Sequence, residues 1–242
     1  MALHRPPSQR LARQPGGRAN IAPMNEAGWK RLLRQIREGF VVPVVGAQLL
    51  VDAAGRSLPS LAAERLLAAY DLEPDASALA AFLPVGAAVA RLRRERSVSL
   101  QDLYADVHDA IEGVVAAVAD EPPVAIRQIA EIADFRMLVT TTPDDLLARC
   151  LRRRCAVDEI IHAPKLPTSE WHDLSADWGS RAGTANLLYL FGKSRPAPVF
   201  AIHEEDVLEY AHNVIARGSQ VPVAFLGALQ ERSLLLIGCS FP

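Results

Sequence analysis

Four short segments carry residue types that could do chemistry: Gly46–Leu50 ("GAQLL"), Thr140–Asp145 ("TTTPDD"), Phe191–Lys193 ("FGK") and Gly238–Ser240 ("GCS"). Each follows an apolar run. Gly46 closes "VVPVV", and a glycine after a buried strand lets backbone N–H groups approach a pyrophosphate. Gln48 stands where a second glycine would help, and its Cβ obstructs that approach. Ala47 is small. Thr140, Thr141 and Thr142 offer hydroxyls, and Asp144 a carboxylate. Gly192, Gly238 and Ser240 allow close passage of a ligand. Together the segments are where a ligand of such strands would bind, a nucleotide or none. Taken singly, each has a plainer reading: "TTTPDD" as a helix cap, "FGK" as a turn with a solvated Lys193, "GCS" as close strand packing with a buried thiol.

Other titratable residues are scattered. His162, His172, His203 and His212 read as surface or loop histidines; His203, after an apolar run, is the one placed to approach a cleft. His108 lies beside a helical apolar stripe and reads as partly exposed. Cys150 and Cys155 could form half of a metal site, but with Cys239 as the only other cysteine they read as two thiols on one helix. No metal is expected. An odd, sparse set of cysteines fits a reducing, cytoplasmic setting.

Composition narrows the classes. The chain has 242 residues, half of them hydrophobic, and a net charge of −2. A core is affordable, a basic nucleic-acid face is not expected, and no apolar run approaches the roughly 20 residues that span a bilayer. Residues 1–23 are rich in Arg and Pro and read as a disordered basic tail, with Met24 an alternative start. "LLLIGCSFP" stops just after an apparently buried strand, so further chain is expected after Pro242.

The elements that position the four segments alternate. Trp29, Leu32, Leu33 and Ile36 recur at helical spacing. Val41–Val45 reads as a strand covered on both faces. Residues 46–59 read as a loop, and Ser60 as the cap of a helix through about Tyr70. A further helix is broken at Pro84. Ser99 with Asp102 opens a helix through a capping box, and Pro122 and Pro123 start another through about Ala133. "RMLVTT" is a second strand, followed by a helix from Asp144 to about Arg153. "NLLYLF", "PVFAI" and "SLLLIG" are further strands, with helices in "EEDVLEYAHNVIARG" and "VAFLGALQ". Trp171 and Trp178 pack on their own domain in preference to forming a lid. The fold expected is α/β, a Rossmann-like, mainly parallel sheet in one domain over residues 24–242, with a helical insert at about 60–133 and no zinc module. Ligands in such sheets bind at the strands' carboxyl ends.

The four strand ends, in this order, resemble the sirtuin-like family, most closely the sirtuin-like domains of bacterial antiphage and Toll/interleukin-receptor-linked defence proteins. That family carries a Gly-Ala-Gly-x-Ser loop, a Thr-Thr-Asn-x-Asp turn, a His-Gly pair after a strand, and a late Gly-x-Ser. The resemblance covers about residues 28–242. It implies NAD or ADP-ribose as ligand, held by Gly46, Ala47, Gln48, Thr140, Thr141, Asp144, Gly192, Gly238 and Ser240. Family members cleave the nicotinamide–ribose bond of NAD. Here Thr142 stands at the Asn position and Phe191 at the His position, and phenylalanine accepts no proton. Asp144 and His203 are the remaining catalytic candidates. The expectation is therefore a catalytically degenerate nucleotide-binding domain with a regulatory or assembly role, self-associating or serving an effector domain in a longer protein. The alternatives are an active NAD hydrolase with relocated catalytic groups and a pure protein-interaction module whose pocket is filled by Leu50 and Phe191. Neither nucleic acid nor membrane is expected as a partner.

Overall fold

The computed structural model describes residues 24–76, 83–218 and 220–240; the proposed tail at 1–23 lies outside them. Five strands form one parallel sheet: β1 (Val41–Val45), β2 (Met137–Thr140), β3 (Ala156–Ile161), β4 (Thr184–Tyr189) and β5 (Ser233–Ile237), in the order β3-β4-β2-β1-β5. The protein is thus a Rossmann-like α/β fold.

Alternation along β1 divides the interior. Val41 and Val45 face the larger core, and Val42 and Val44 the smaller, as a strand buried on both faces requires. Four described helices separate β1 from β2: α1 (Glu26–Arg37) precedes β1, and α2 (Leu58–Ala68), α3 (Pro84–Arg96), α4 (Leu100–Ala117) and α5 (Val124–Glu131) follow it. Leu66, Leu67, Val89, Leu92, Leu103 and Ile126 from these helices build the larger core. The caps explain the boundaries. Ser57, not Ser60, caps α2 by accepting the Ser60 N–H at 3.4 Å, which leaves Pro59 in the first turn where its missing donor is harmless. Ser99 caps α4 by accepting the Asp102 N–H. The part of the expected helix at 77–82 lies outside the described residues.

α6 (Leu146–Arg152) leads to β3, which sequence reading missed. "AVDEII" places Asp158 and Glu159 in a strand, and edge strands tolerate such charges. The converse also occurs: "PVFAI" forms no ladder, only an isolated antiparallel bridge between Gly192 and Phe200. Residues 162–183, between β3 and β4, contain no helix and form a strap, with Ala163, Leu166 and Trp171 on the larger core and Leu174 and Trp178 on the smaller. Asp173 fastens it by accepting the Ala224 and Phe225 N–H groups at 2.7 and 3.1 Å, at the start of α8 (Val223–Gln230). Trp171 donates to the Gln220 carbonyl at 2.8 Å, and Arg232 stacks on Trp178. Both tryptophans therefore pack on their own domain.

β5 corrects a second expectation. It is an edge strand rather than a buried one. Leu234 and Leu236 pair in register with Val42 and Val44, so they share the smaller-core face, yet they are 52% and 51% exposed. Apolar continuity reports a strand but does not report whether both faces are covered. No described helix is long and apolar enough to cross a membrane.

Candidate functional site

The carboxyl ends of β1, β2, β4 and β5 are neighbours, so all four motif segments meet along one rim of the sheet. At the β1/β5 crevice the segments bind each other. The Gly46 N–H donates to the Ile237 carbonyl at 2.9 Å and the Gln48 N–H to the Gly238 carbonyl at 3.0 Å. The Leu49 and Leu50 N–H groups turn back on Gly46 and Ala47 as a 3₁₀ turn, at 3.2 and 3.0 Å. A phosphate loop needs such donors unengaged. A Cβ on Gly46 would overlap the Gly238 carbonyl and approach the Cys239 Cα to 2.7 Å. Gly46 is therefore a site of close backbone packing. Gly238 has φ +65°, and a Cβ there would meet Leu49 Cγ at 2.5 Å. Across the top, the exposed Gln48 side chain donates from Nε2 to Ser240 Oγ at 2.7 Å. The Cys239 thiol donates to the Val44 carbonyl at 3.4 Å. Ala47 is exposed and Leu50 buried in the core.

The Thr140–Asp145 turn is locked in a similar way. The Thr141 N–H donates to the Val45 carbonyl at 3.0 Å and so ties β2 to β1. Thr140 and Thr142 share a hydroxyl–hydroxyl bond of 3.0 Å, and Thr140 Oγ1 also accepts the Thr142 N–H at 3.2 Å. Asp144 is buried and accepts the Leu146 N–H at 3.1 Å at the start of α6. Burial pushes its carboxyl pKa up, opposed by hydrogen bonding from the Thr142 hydroxyl and that N–H. The Thr142 hydroxyl is thus turned inward to its own turn.

After β4, Phe191 packs against the larger core, and its carbonyl accepts the Ala201 N–H at 2.9 Å. Gly192 has φ +79°, and a Cβ there would lie 2.5 Å from Phe200 Cα. Lys193, solvated on the plain reading of this turn, is drawn inward. Its ammonium pairs with Glu159 at 2.6 Å over the Tyr189 ring, and burial pushes its pKa down, with Asp145 opposing. Ser194 donates its N–H to the Pro143 carbonyl at 2.8 Å, and its Oγ lies 3.0 Å from His108 Nδ1. The turns after β2 and β4 are thereby joined to each other and to α4.

Two histidines expected at the surface are buried. His162 Nδ1 donates to the Leu190 carbonyl at 2.8 Å, and Nε2 accepts from Asn213 at 3.1 Å. Burial pushes its pKa down, with the Leu190 bond opposing. His203 caps α7 (Glu204–Ile215) and lines a cavity of about 500 Å³ with Tyr104 and Asp206. His172 is exposed beside Asp158. Sequence reading did not find the Tyr104–Asp206 bond of 3.0 Å. The available signal was "HEED", a cap residue with an acid three positions on. Among the described residues no group of three or more His, Cys, Asp or Glu is placed to hold a metal ion, and the three cysteines are unpaired.

At β1/β5 the rim is built of small residues and closed by the Gln48–Ser240 side-chain latch. Further along the rim, Thr142 has its hydroxyl engaged and Phe191 presents a phenyl ring packed on the larger core. No family model matches the chain, and no curated protein matches it.

Proposed function

We propose that this chain is a catalytically silent, sirtuin-like domain that receives the ADP-ribose portion of an adenine nucleotide at the β1/β5 crevice and acts as a regulatory or assembly module in a defence-type protein. The observation that carries this reading is the asymmetry of the rim. Gly46 and Gly238 bring the β1 and β5 backbones together, and Ser240 lies above them under an exposed latch that a ligand can displace. Thr142 and Phe191, at the positions of the chemistry, have no group free to accept a proton. An exposed side-chain hydrogen bond contributes about 1 kcal/mol, so ligand binding can open the Gln48–Ser240 latch at small cost.

The test pairs two measurements on the purified chain. Nicotinamide release from NAD should not exceed background, because loss of a general base lowers rates by roughly 10²- to 10⁴-fold. Calorimetry should show ADP-ribose binding no more weakly than NAD, with a dissociation constant of about micromolar or above. Gln48→Ala, which frees Ser240, should tighten ADP-ribose binding. Turnover of NAD that vanishes in His203→Ala would replace this reading with an active hydrolase that has relocated its catalytic groups.

A second reading has its own support. The engaged loop N–H groups and the half-exposed Leu234 and Leu236 on the β5 edge fit a protein-interaction module. It is the better account if ADP-ribose gives neither heat nor a thermal shift with Gln48→Ala.

A further inference from the structure

Apart from the four strand-end segments, the cavity at the start of α7 contains a side chain with an unmet hydrogen-bonding need. His203 Nδ1 accepts the Asp206 N–H at 3.1 Å. An accepting Nδ1 leaves the ring proton on Nε2 in the neutral imidazole, and His203 is among the residues that line the cavity. The side chain is 9% exposed, and Nε2 makes no hydrogen bond. A buried donor without an acceptor is costly, and native folds seldom leave one unmet.

The nearest acceptor is Glu205 Oε2, 3.5 Å away. The same oxygen stands 3.8 Å from the Arg93 guanidinium. Glu205 is 78% exposed, so a solvent-held carboxylate hovers between two donors and hydrogen-bonds to neither. Asp206, beside it, is satisfied from within the fold: its oxygens accept the Tyr104 hydroxyl at 3.0 Å and the Ile202 N–H at 2.9 Å. Lys165 reaches the same cavity, held by an exposed Glu209 at 3.2 Å, and Leu100 and Pro198 give it an apolar wall.

We propose that this cavity binds a small organic carboxylate. One ligand oxygen takes the place of the Glu205 oxygen between His203 Nε2–H and Arg93, and the ligand's apolar body lies against Leu100 and Pro198. A carboxylate fits where a carboxylate already stands. A doubly charged phosphate fits less well, because Asp206 and Glu209 share the wall and like charges repel. The site is independent of the nucleotide reading and uses none of the strand-end segments.

The experiment titrates benzoate into the chain and follows the His203 imidazole nitrogens by NMR, with benzamide and inorganic phosphate as parallel probes. Benzoate should shift the Nε2 signal saturably at roughly millimolar concentration, while benzamide and phosphate should not. Glu205→Ala removes the resident carboxylate and should tighten benzoate binding. Arg93→Ala, at a half-exposed residue, should weaken it about tenfold or more, as loss of a charge-assisted bond does. Thermal melts of both variants verify folding, and both keep His203 and Asp206, which form the cap bond. The proposal is overturned if benzoate gives no saturable shift even with Glu205→Ala, if Arg93→Ala binds as tightly as the unaltered chain, or if benzamide or phosphate shifts the signal as strongly as benzoate.

Discussion

Gly46→Ala separates two roles a glycine can have at the end of a first strand. If the glycine clears space for a ligand, an added methyl group leaves the empty protein undisturbed and harms only binding. If it allows two backbone segments to meet, the methyl group harms the fold itself. The added Cβ would overlap the Gly238 carbonyl and lie 2.7 Å from the Cys239 Cα. These are backbone atoms and cannot rotate aside. Relief requires β5 or its following turn to move away, against the ladder that pairs Val41 through Val45 with Ser233 through Ile237. Overpacking of this kind costs about 1–3 kcal/mol. For a chain of this size each kcal/mol lowers Tm by about 2–4 °C, so the expected fall is roughly 2–12 °C. Thermal denaturation followed by circular dichroism, without any ligand, measures it. An unchanged Tm would refute the packing role and return Gly46 to the ligand.

Asp173→Ala should remove the tie between the strap and α8 and cost about 0.5–2 kcal/mol, as loss of a helix cap does; a thermal melt measures it, and Asp173→Asn should recover part. His162 links stability to pH. Its folded pKa lies below the unfolded value of about 6.5, so the unfolded chain binds more protons as pH falls, and stability present above about 6.5 is lost below it. Denaturant titrations between about pH 7 and 5 should show a shallower decline for His162→Asn; equal slopes would contradict this. Leu236→Lys should leave stability within about 0.5 kcal/mol and abolish any self-association through β5 seen by sedimentation.

Strand–helix alternation made the sheet legible in the sequence, and four of the five strands stood out by apolar continuity. β3 did not, because Asp158 and Glu159 interrupt its pattern at an edge where charge is tolerated. β5 was legible as a strand but not as an edge, since one-dimensional hydropathy records what a residue would bury and not whether anything arrives to cover it. The strand-end motifs could be located, but their hydrogen-bond state could not. Nothing in "GAQLL" announces that its N–H groups turn to Ile237, Gly238 and their own turn. The burial of His162 and His203 depends on Asn213, Asp206 and Tyr104, residues distant in sequence or unremarkable alone.

The pairing of β1 with β5 has a consequence for how the chain folds. β1 is an interior strand whose two partners lie on opposite sides of it in the sheet and at very different distances along the chain: β2 is the nearer in sequence, and β5 meets it across 192 residues, as the Gln48–Ser240 contact does. Closing a loop of that length carries an entropic cost of about 4–5 kcal/mol beyond a constant, and topologies dominated by such distant pairings fold slowly. During synthesis β1 can join β2 and β4 while its other edge stays open until Ser233–Ile237 has left the ribosome. For that interval a five-residue apolar strand, Val41–Val45, presents unpaired backbone groups, the arrangement that invites pairing with another chain. Pro43 at its centre does not relieve that edge: the Phe40 carbonyl and the Gly46 N–H bond to β5 and the Val45 carbonyl to β2, so by alternation the N–H that Pro43 lacks would have faced β2. The proline thus limits the β1–β2 ladder, whose register is Val44 with Val139 and Val45 with Thr140, and leaves every donor on the β5 edge available to the last partner.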